Sequence, residues 1–424
     1  MQKKFTKVGV VLGLLRGDEG KGKIVDKLSD EYDLIIRFQG GPNAGHTIYR
    51  GDKKIVLHQI PSGILNNKEC LIAHGCVVDP CKLLDEINLI TDNGITLKDI
   101  LNNLKVANGC TAILPTHIKE DIQREDAGKG NGSTKCGISP TYRDKYYREG
   151  KRLYDYFSDD SLLKSTCKLF DITTDEFSVI QQLLIDDTFY INYECKDKNI
   201  LFEGAQGVFL DIDNPLYPNV SSSHVNVGGV IAGSGISYQR FANDAEIVGV
   251  VKAYMSSVGV GKFLTEINGE IEIPYKNNKF VFSDKILREA GKEYGATTGR
   301  PRKVGFLDLP MIKYACDTIG INQLCLTRID TLYDAFKALN CFPVCIGYTL
   351  KDSNYILPET EISWYDIDKY KPVYKIFNLW EKAELHDKEF CTFINFIEDF
   401  VKVPIRYISA GPNKEDLLEL SLCL

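Results

Sequence analysis

An apolar run, Val8-Gly9-Val10-Val11-Leu12, breaks into Gly17-Asp18-Glu19-Gly20-Lys21-Gly22-Lys23, and a helical pattern follows from Gly22 to Asp30. No other segment restricts the fold as much, because a buried strand feeding a glycine turn and a helix is the building unit of an α/β sheet. The spacing Gly17-x4-Gly22-Lys23 fits the first part of a phosphate-binding loop, in which backbone N–H groups and a helix N-terminus face an anion. Lys21 and Lys23 are placed to neutralise phosphate charge. Two features depart from that pattern. Ile24 stands where a Ser or Thr hydroxyl would hold Mg²⁺. Asp18 brings a carboxylate into an anion site, where it repels phosphate unless it binds a metal or takes a proton from the substrate. A plainer alternative is that Asp18 caps the following helix.

Further apolar runs at Leu34–Phe38, Glu69–His74, Asn199–Phe202, Ala245–Val251 and Gln323–Leu326 read as strands buried on both faces. Helical patterns such as Pro80–Thr91 lie between several of them. The fold class expected is α/β, a large, mainly parallel central sheet flanked by helices, with inserted helical and loop subdomains. A charged helical stretch, Ser161–Tyr193, reads as an insertion spanning about 155–195. No linker or repeat divides the 424 residues, so a single domain over 1–424 is expected, with substrate loops near 37–50, 121–148 and 294–303. A net charge of −7 argues against nucleic-acid binding through bulk charge. The 13 cysteines show neither C-x-x-C pairs nor zinc spacings and read as reduced, mostly buried thiols. The N-terminal apolar run ends in a charged loop without a cleavage site, and no run approaches a membrane span. The expected location is cytoplasmic.

Four further loops carry chemistry. RFQGGPNAGHT, Arg37 to Thr47, follows a strand end, where ligand sites of open α/β sheets lie. His46 in it is a proton donor or transition-state stabiliser, or simply a core or surface histidine. EDAGKGNGSTKCGISPTY, Glu125 to Tyr142, is either a surface loop or a substrate loop. LFEGAQGVFLDID, Leu201 to Asp213, ends a strand in Glu203 in the manner of a Walker-B element, and Gln206 has an amide able to read a base. LTRID, Leu326 to Asp330, resembles the [NT]KxD guanine reader of GTP-binding proteins, and YGATTGRPRK, Tyr294 to Lys303, is another Gly/Thr/Arg loop.

In order, GDEGKGK, QGG-NAGHT, EGAQG, LDID, GATTGR-R and ISAGP resemble the adenylosuccinate synthetase family over Val8 to Pro412. That resemblance implies a GTP-dependent ligase joining L-aspartate to IMP through 6-phosphoryl-IMP, the first committed step of AMP synthesis from IMP. It implies Mg²⁺ on Asp18 and the backbone oxygen of Gly45, and a catalytic set of Asp18 as base, His46 and Lys21. GTP falls to Gly17, Glu19, Gly20, Gly22, Lys23, Gly45, Thr47, Arg302, Arg328, Asp330, Ser409 and Gly411. IMP falls to Asp18, Lys21, Asn43, Ala44, Gly45, His46, Thr134 (with Ser133 in the same closing loop), Gln206, Ser221 and Arg300, and to Arg148 supplied by the second subunit of a homodimer. Aspartate falls to Val258, Ala296, Thr297, Thr298, Gly299 and Arg300. On this basis Ile24 is no loss, since the metal ligand sits earlier in the loop.

The chain departs from the family's pattern at several positions. Leu15-Arg16 replaces Gln-Trp, Lys135 and Cys136 replace Gly and Arg, Ser257 stands for Arg and Lys262 for Pro. Ser221 replaces Thr, and Arg328 replaces Lys. These departures bear on substrate affinity and loop closure, and they keep open an inactive or binding-only homologue. A GTP-binding switch is the other alternative, countered by the missing Ser/Thr after Lys23 and by the loop at 294–303.

Overall fold

The computed structural model describes residues 6–420 apart from 52, 131, 243–244, 258–260, 276–277, 295–298, 300 and 385. The elements that position the site are β1 (Val8–Gly13), α1 (Lys21–Leu28), β2 (Leu34–Arg37), β3 (His46–Arg50), β4 (Ile200–Gly207), β5 (Glu246–Lys252), β6 (Gln323–Thr327) and β7 (Ile405–Ser409). In the large sheet β1 lies in the middle, between β4 and β5; β6 and β7 continue past β5, and β2 lies beyond β4. Glu69–Ile72, Leu104–Ala107 and Leu184–Ile185 extend one edge, and Leu417–Glu419 closes the other. Every pairing is parallel except the last, between β7 and Leu417–Glu419.

Strand alternation divides the core. Val10 and Leu12 of β1, Leu34 and Ile36 of β2, and Ile200 and Phe202 of β4 enter one apolar cluster. Val11, Ile35 and Leu201 enter another. Successive side chains point to opposite faces, so a sheet buried on both sides needs the near-continuous apolar runs seen in the sequence. A second, four-stranded sheet formed by Tyr254–Ser257, Lys303–Asp308, Cys341–Leu350 and Tyr370–Asn378 shares the first cluster. Among the described residues no helix is long and apolar enough to cross a membrane.

The structure corrects three local readings. The stretch read as helical at Ser161–Tyr193 contains the edge strand Leu184–Ile185, paired with Val106 and Ala107; two residues carry no readable period. The loop read at Glu125–Tyr142 is a turn between helices Pro115–Asp126 and Ile138–Tyr147. Pro140 lies in the first turn of the second helix, where a missing N–H breaks no helical bond. The loop read at 37–50 ends in a strand, since His46 opens β3, which pairs antiparallel with Lys53–Leu57.

Candidate active site

The turn after β1 is built around Glu19. Its buried carboxylate accepts from Gly17 N at 2.8 Å, Leu15 N at 3.2 Å and Lys21 Nζ at 2.7 Å. A Cβ at Gly13 would lie 2.2 Å from Glu19 Oε2, and one at Gly207 2.6 Å from Oε1, so those two glycines make room for the acid. Glu19, which the resemblance assigns to GTP, thus also braces the loop and balances Lys21. Thr327 Oγ1 donates to the Glu19 carbonyl at 2.8 Å and ties the turn to β6. Gly17, Asp18 and Gly20 all have positive φ, 87°, 60° and 91°. Asp18 holds a left-handed conformation rare outside glycine, the kind of local strain that functional loops retain. Its side chain is exposed, and Oδ2 lies 2.8 Å from Arg302 Nη2. Asp18 therefore does not cap α1, whose N-cap is Gly20 with no side-chain bond.

His46 packs against the start of α1, since a Cβ at Gly22 would be 3.0 Å from its own Cβ. Its Nδ1–H donates to Glu203 Oε1. Glu203 is fully buried at the end of the apolar part of β4, and also accepts from Ser62 N at 2.8 Å and Ser62 Oγ at 2.9 Å. This corrects the Walker-B reading, because the carboxylate serves a histidine and a serine. Burial, helped by Arg37 and Lys21, outweighs Glu203 and holds the His46 imidazole below its ordinary pKa, so it is neutral. Burial alone would raise the Glu203 carboxyl, but its partners His46, Arg37 and Ser62 N bring it below the usual carboxylate value. Ser62 was not singled out from the sequence, and no local motif marks it.

At the far end of the loop, Lys23 Nζ donates to Ser409 Oγ and, at 2.6 Å, to the Gly411 carbonyl. The first glycine loop and ISAGP, remote in sequence, thus form one wall. Arg328 is the N-cap of the helix Ile329–Phe336, with φ 65°, and Asp330 is in its first turn. Asn43 Oδ1, Gln206 Oε1, Arg302 Nε and Asp330 Oδ1 are buried without a partner among the described residues. They are four of twelve such atoms among the described residues, and these four belong to residues read as ligand contacts. Gln206 also has positive φ, 55°.

The other predicted residues differ in exposure and in partners. Thr134 is exposed, while Ser133 donates to Asp121 and Glu125 on the preceding helix, Pro115–Asp126. Arg148 is exposed at the C-cap of the helix Ile138–Tyr147. The Ser221 N–H donates to the Leu210 carbonyl at 2.7 Å. The Ala44 carbonyl faces His58 Nδ1 at 2.6 Å, Gly45 and Gly299 are exposed, and Thr47 is half-buried in β3. Val258, Ala296, Thr297, Thr298 and Arg300 lie outside the described residues. Two of the departures meet: the buried Arg16 donates from Nε to Ser257 Oγ at 3.1 Å. Cys136 Sγ lies 3.1 Å from Lys82 Nζ, and Lys262 is exposed beside Asp368.

The family model described as adenylosuccinate synthetase matches residues 10–179 and 167–418. The adenylosuccinate synthetase of Thermodesulfovibrio yellowstonii is 38% identical, over 96% of this chain and 98% of that protein. That of Malacoplasma penetrans is 36% identical, over 96% and 98%. A solved structure of fully ligated adenylosuccinate synthetase from Plasmodium falciparum has a TM-score of 0.82 at 32% identity, covering 98% of this chain and 100% of that one. The succinoaminodeoxyadenylate synthetase of cyanophage S-2L, at 18% identity and a TM-score of 0.64 over 98% and 96% of the two chains, shares the fold. With the family model and both relatives running across nearly its whole length, this chain belongs to the adenylosuccinate synthetase family.

Proposed function

We propose that this chain, as one domain, joins L-aspartate to IMP, turning GTP into GDP and phosphate, through a 6-phosphoryl-IMP intermediate. The observation that carries the reading is the meeting of Asp18 and Arg302, together with buried Asn43, Gln206 and Asp330 oxygens that lack partners among the described residues. The C6 oxygen of hypoxanthine leaves poorly, and phosphorylation turns it into phosphate. Asp18 takes the N1 proton, which makes O6 nucleophilic toward the γ-phosphate. His46 then stabilises the charge that develops on O6 and the transferred group. In the free protein its imidazole is neutral and Nδ1–H is committed to Glu203. Two nucleotide phosphates arriving opposite favour a second proton, and Nε2–H becomes a donor while Glu203 stabilises the cation. Lys21 is balanced by Glu19. Arg300 and Thr298 hold the aspartate carboxylates, and Arg328 with Asp330 reads guanine.

Mg²⁺ fits the donors available, since the exposed Asp18 carboxylate and the backbone oxygen of exposed Gly45 are hard oxygen ligands. When bound, it neutralises charge on the phosphates.

The decisive assay supplies IMP, L-aspartate, GTP and Mg²⁺ together and with each omitted, following adenylosuccinate absorbance. Product forms only in the full mixture. GTP hydrolysis running freely without IMP and aspartate would point to the switch reading, and no turnover in a folded, ligand-binding protein to the binding-only homologue.

The second-subunit role of Arg148 draws support from its surroundings. Tyr146 and Tyr147, 63% and 71% exposed, precede it on the same helix end and offer aromatic area of the kind protein interfaces use. Arg148→Leu raises the KM for IMP about ten- to hundredfold, the worth of one charge-assisted bond to phosphate, with a smaller change for GTP. Sedimentation of the IMP-bound protein tests the dimer, and a monomer with normal turnover would rule out a shared site.

A further inference from the structure

Outside the residues assigned so far, one buried acid gathers several partners. Glu293 accepts from Lys252 Nζ at 2.8 Å and Tyr254 Oη at 2.5 Å through Oε1, and from Arg302 Nη1 at 2.9 Å through Oε2. Its backbone carbonyl takes the Arg302 N–H at 2.9 Å, and Tyr294 bridges to Pro301, so the neck of the turn between them closes on this residue. Arg302 is thereby held by its backbone and by one edge of its guanidinium. The opposite edge, Nη2, is the one that meets Asp18 at 2.8 Å. Lys252 donates onward at 2.6 Å to Ser256, which lies on the strand Tyr254–Ser257. Nothing in the sequence motifs gave Glu293 a role.

We propose that Glu293 is a positioning residue that clamps Arg302 so that its free edge is presented to Asp18 and the GTP phosphates. This rests on the ligase reading above. An arginine side chain is long and flexible, and one charge-assisted bond from Nη1 to Glu293 Oε2, beside the backbone bond, narrows its positions before GTP binds and so lowers the entropy lost on binding. Burial alone would raise the Glu293 carboxyl, but Lys252 and Arg302 outweigh it and hold it at about 2, so the clamp stays charged throughout the working range. The competing account is that Glu293 only balances the buried Lys252, without regard to Arg302.

The two accounts separate in a paired substitution. Glu293→Gln leaves Lys252 unbalanced and lowers Tm, whichever account holds. Lys252→Met combined with Glu293→Gln removes both charges and recovers much of the lost Tm. If Glu293 positions Arg302, the double variant still binds GTP about ten- to hundredfold more weakly than the unmodified protein by titration calorimetry, and Glu293→Asp falls between. A double variant that regains both Tm and GTP affinity overturns the proposal. Should the unmodified protein bind GTP yet form no adenylosuccinate, the ligase reading fails separately, and the GTP titration still decides whether Glu293 positions Arg302.

Discussion

Asp18→Asn lowers kcat by about 10²–10⁴, the usual worth of a positioned general base, while IMP and GTP bind with little change. The amide keeps the size of the carboxylate and one oxygen that can accept from Arg302 Nη2, so the loop geometry is retained. What it loses is the capacity to take the N1 proton. The side chain is exposed and forms no part of the core, so the substitution leaves folding intact. Single-turnover kinetics with separately measured IMP and GTP affinities check this. A kcat within tenfold of the unmodified protein refutes the base assignment.

The second large effect concerns the histidine and its acid. His46→Asn lowers kcat by about 10²–10³, as loss of one donor to a developing oxyanion does, and Glu203→Gln lowers it as well. The two losses are not additive, because Glu203 acts on the reaction through the imidazole it holds. Additive losses in the double variant would mean that Glu203 has a separate job. The pair also sets a pH dependence. In the free protein the His46 pKa is held below its ordinary value, so the unfolded chain binds that proton more readily than the folded one does. The stability involved is present above about pH 6.5 and is lost as pH falls below it. The Glu203 carboxyl is also lowered, and its contribution goes at still lower pH. Denaturation of the ligand-free protein across that range shows stability falling on acidification, and His46→Asn flattens the upper part of the fall.

Much of this architecture was legible from the chain. The strand–glycine–helix segment gave β1 and α1 to within a residue or two, and the apolar runs placed most strands of the large sheet, because a strand buried on both faces has no polar side to disguise it. Asn43, Gln206, Arg302 and Asp330, each read as a ligand contact, carry four of the twelve buried side-chain atoms that lack a partner among the described residues. What stayed hidden were partners rather than motifs. Glu203 reads as any acid ending a strand until Ser62 and His46, from other elements, are seen on its carboxylate. Glu293 sits in no motif, and its meaning depends on Lys252 and Arg302 converging in space. The helix ends around the turn at 127–137 were hidden by composition, since Gly, Ser and Pro also cap and begin helices.

The central place of β1 has a consequence for how the chain is made. Val8 pairs with Ile200, and Gly9 with Glu246, so β1 leaves the ribosome about 190 residues before either of its sheet neighbours. At about 5–20 residues per second, roughly 10–40 s pass before β4 is synthesised. During that interval both edges of a wholly apolar strand stay open, and the glycine loop it carries has no wall to lean on. A ribosome-bound chain halted before residue 200 therefore leaves both edges of β1 without their sheet neighbours, the condition under which strand edges pair with other chains.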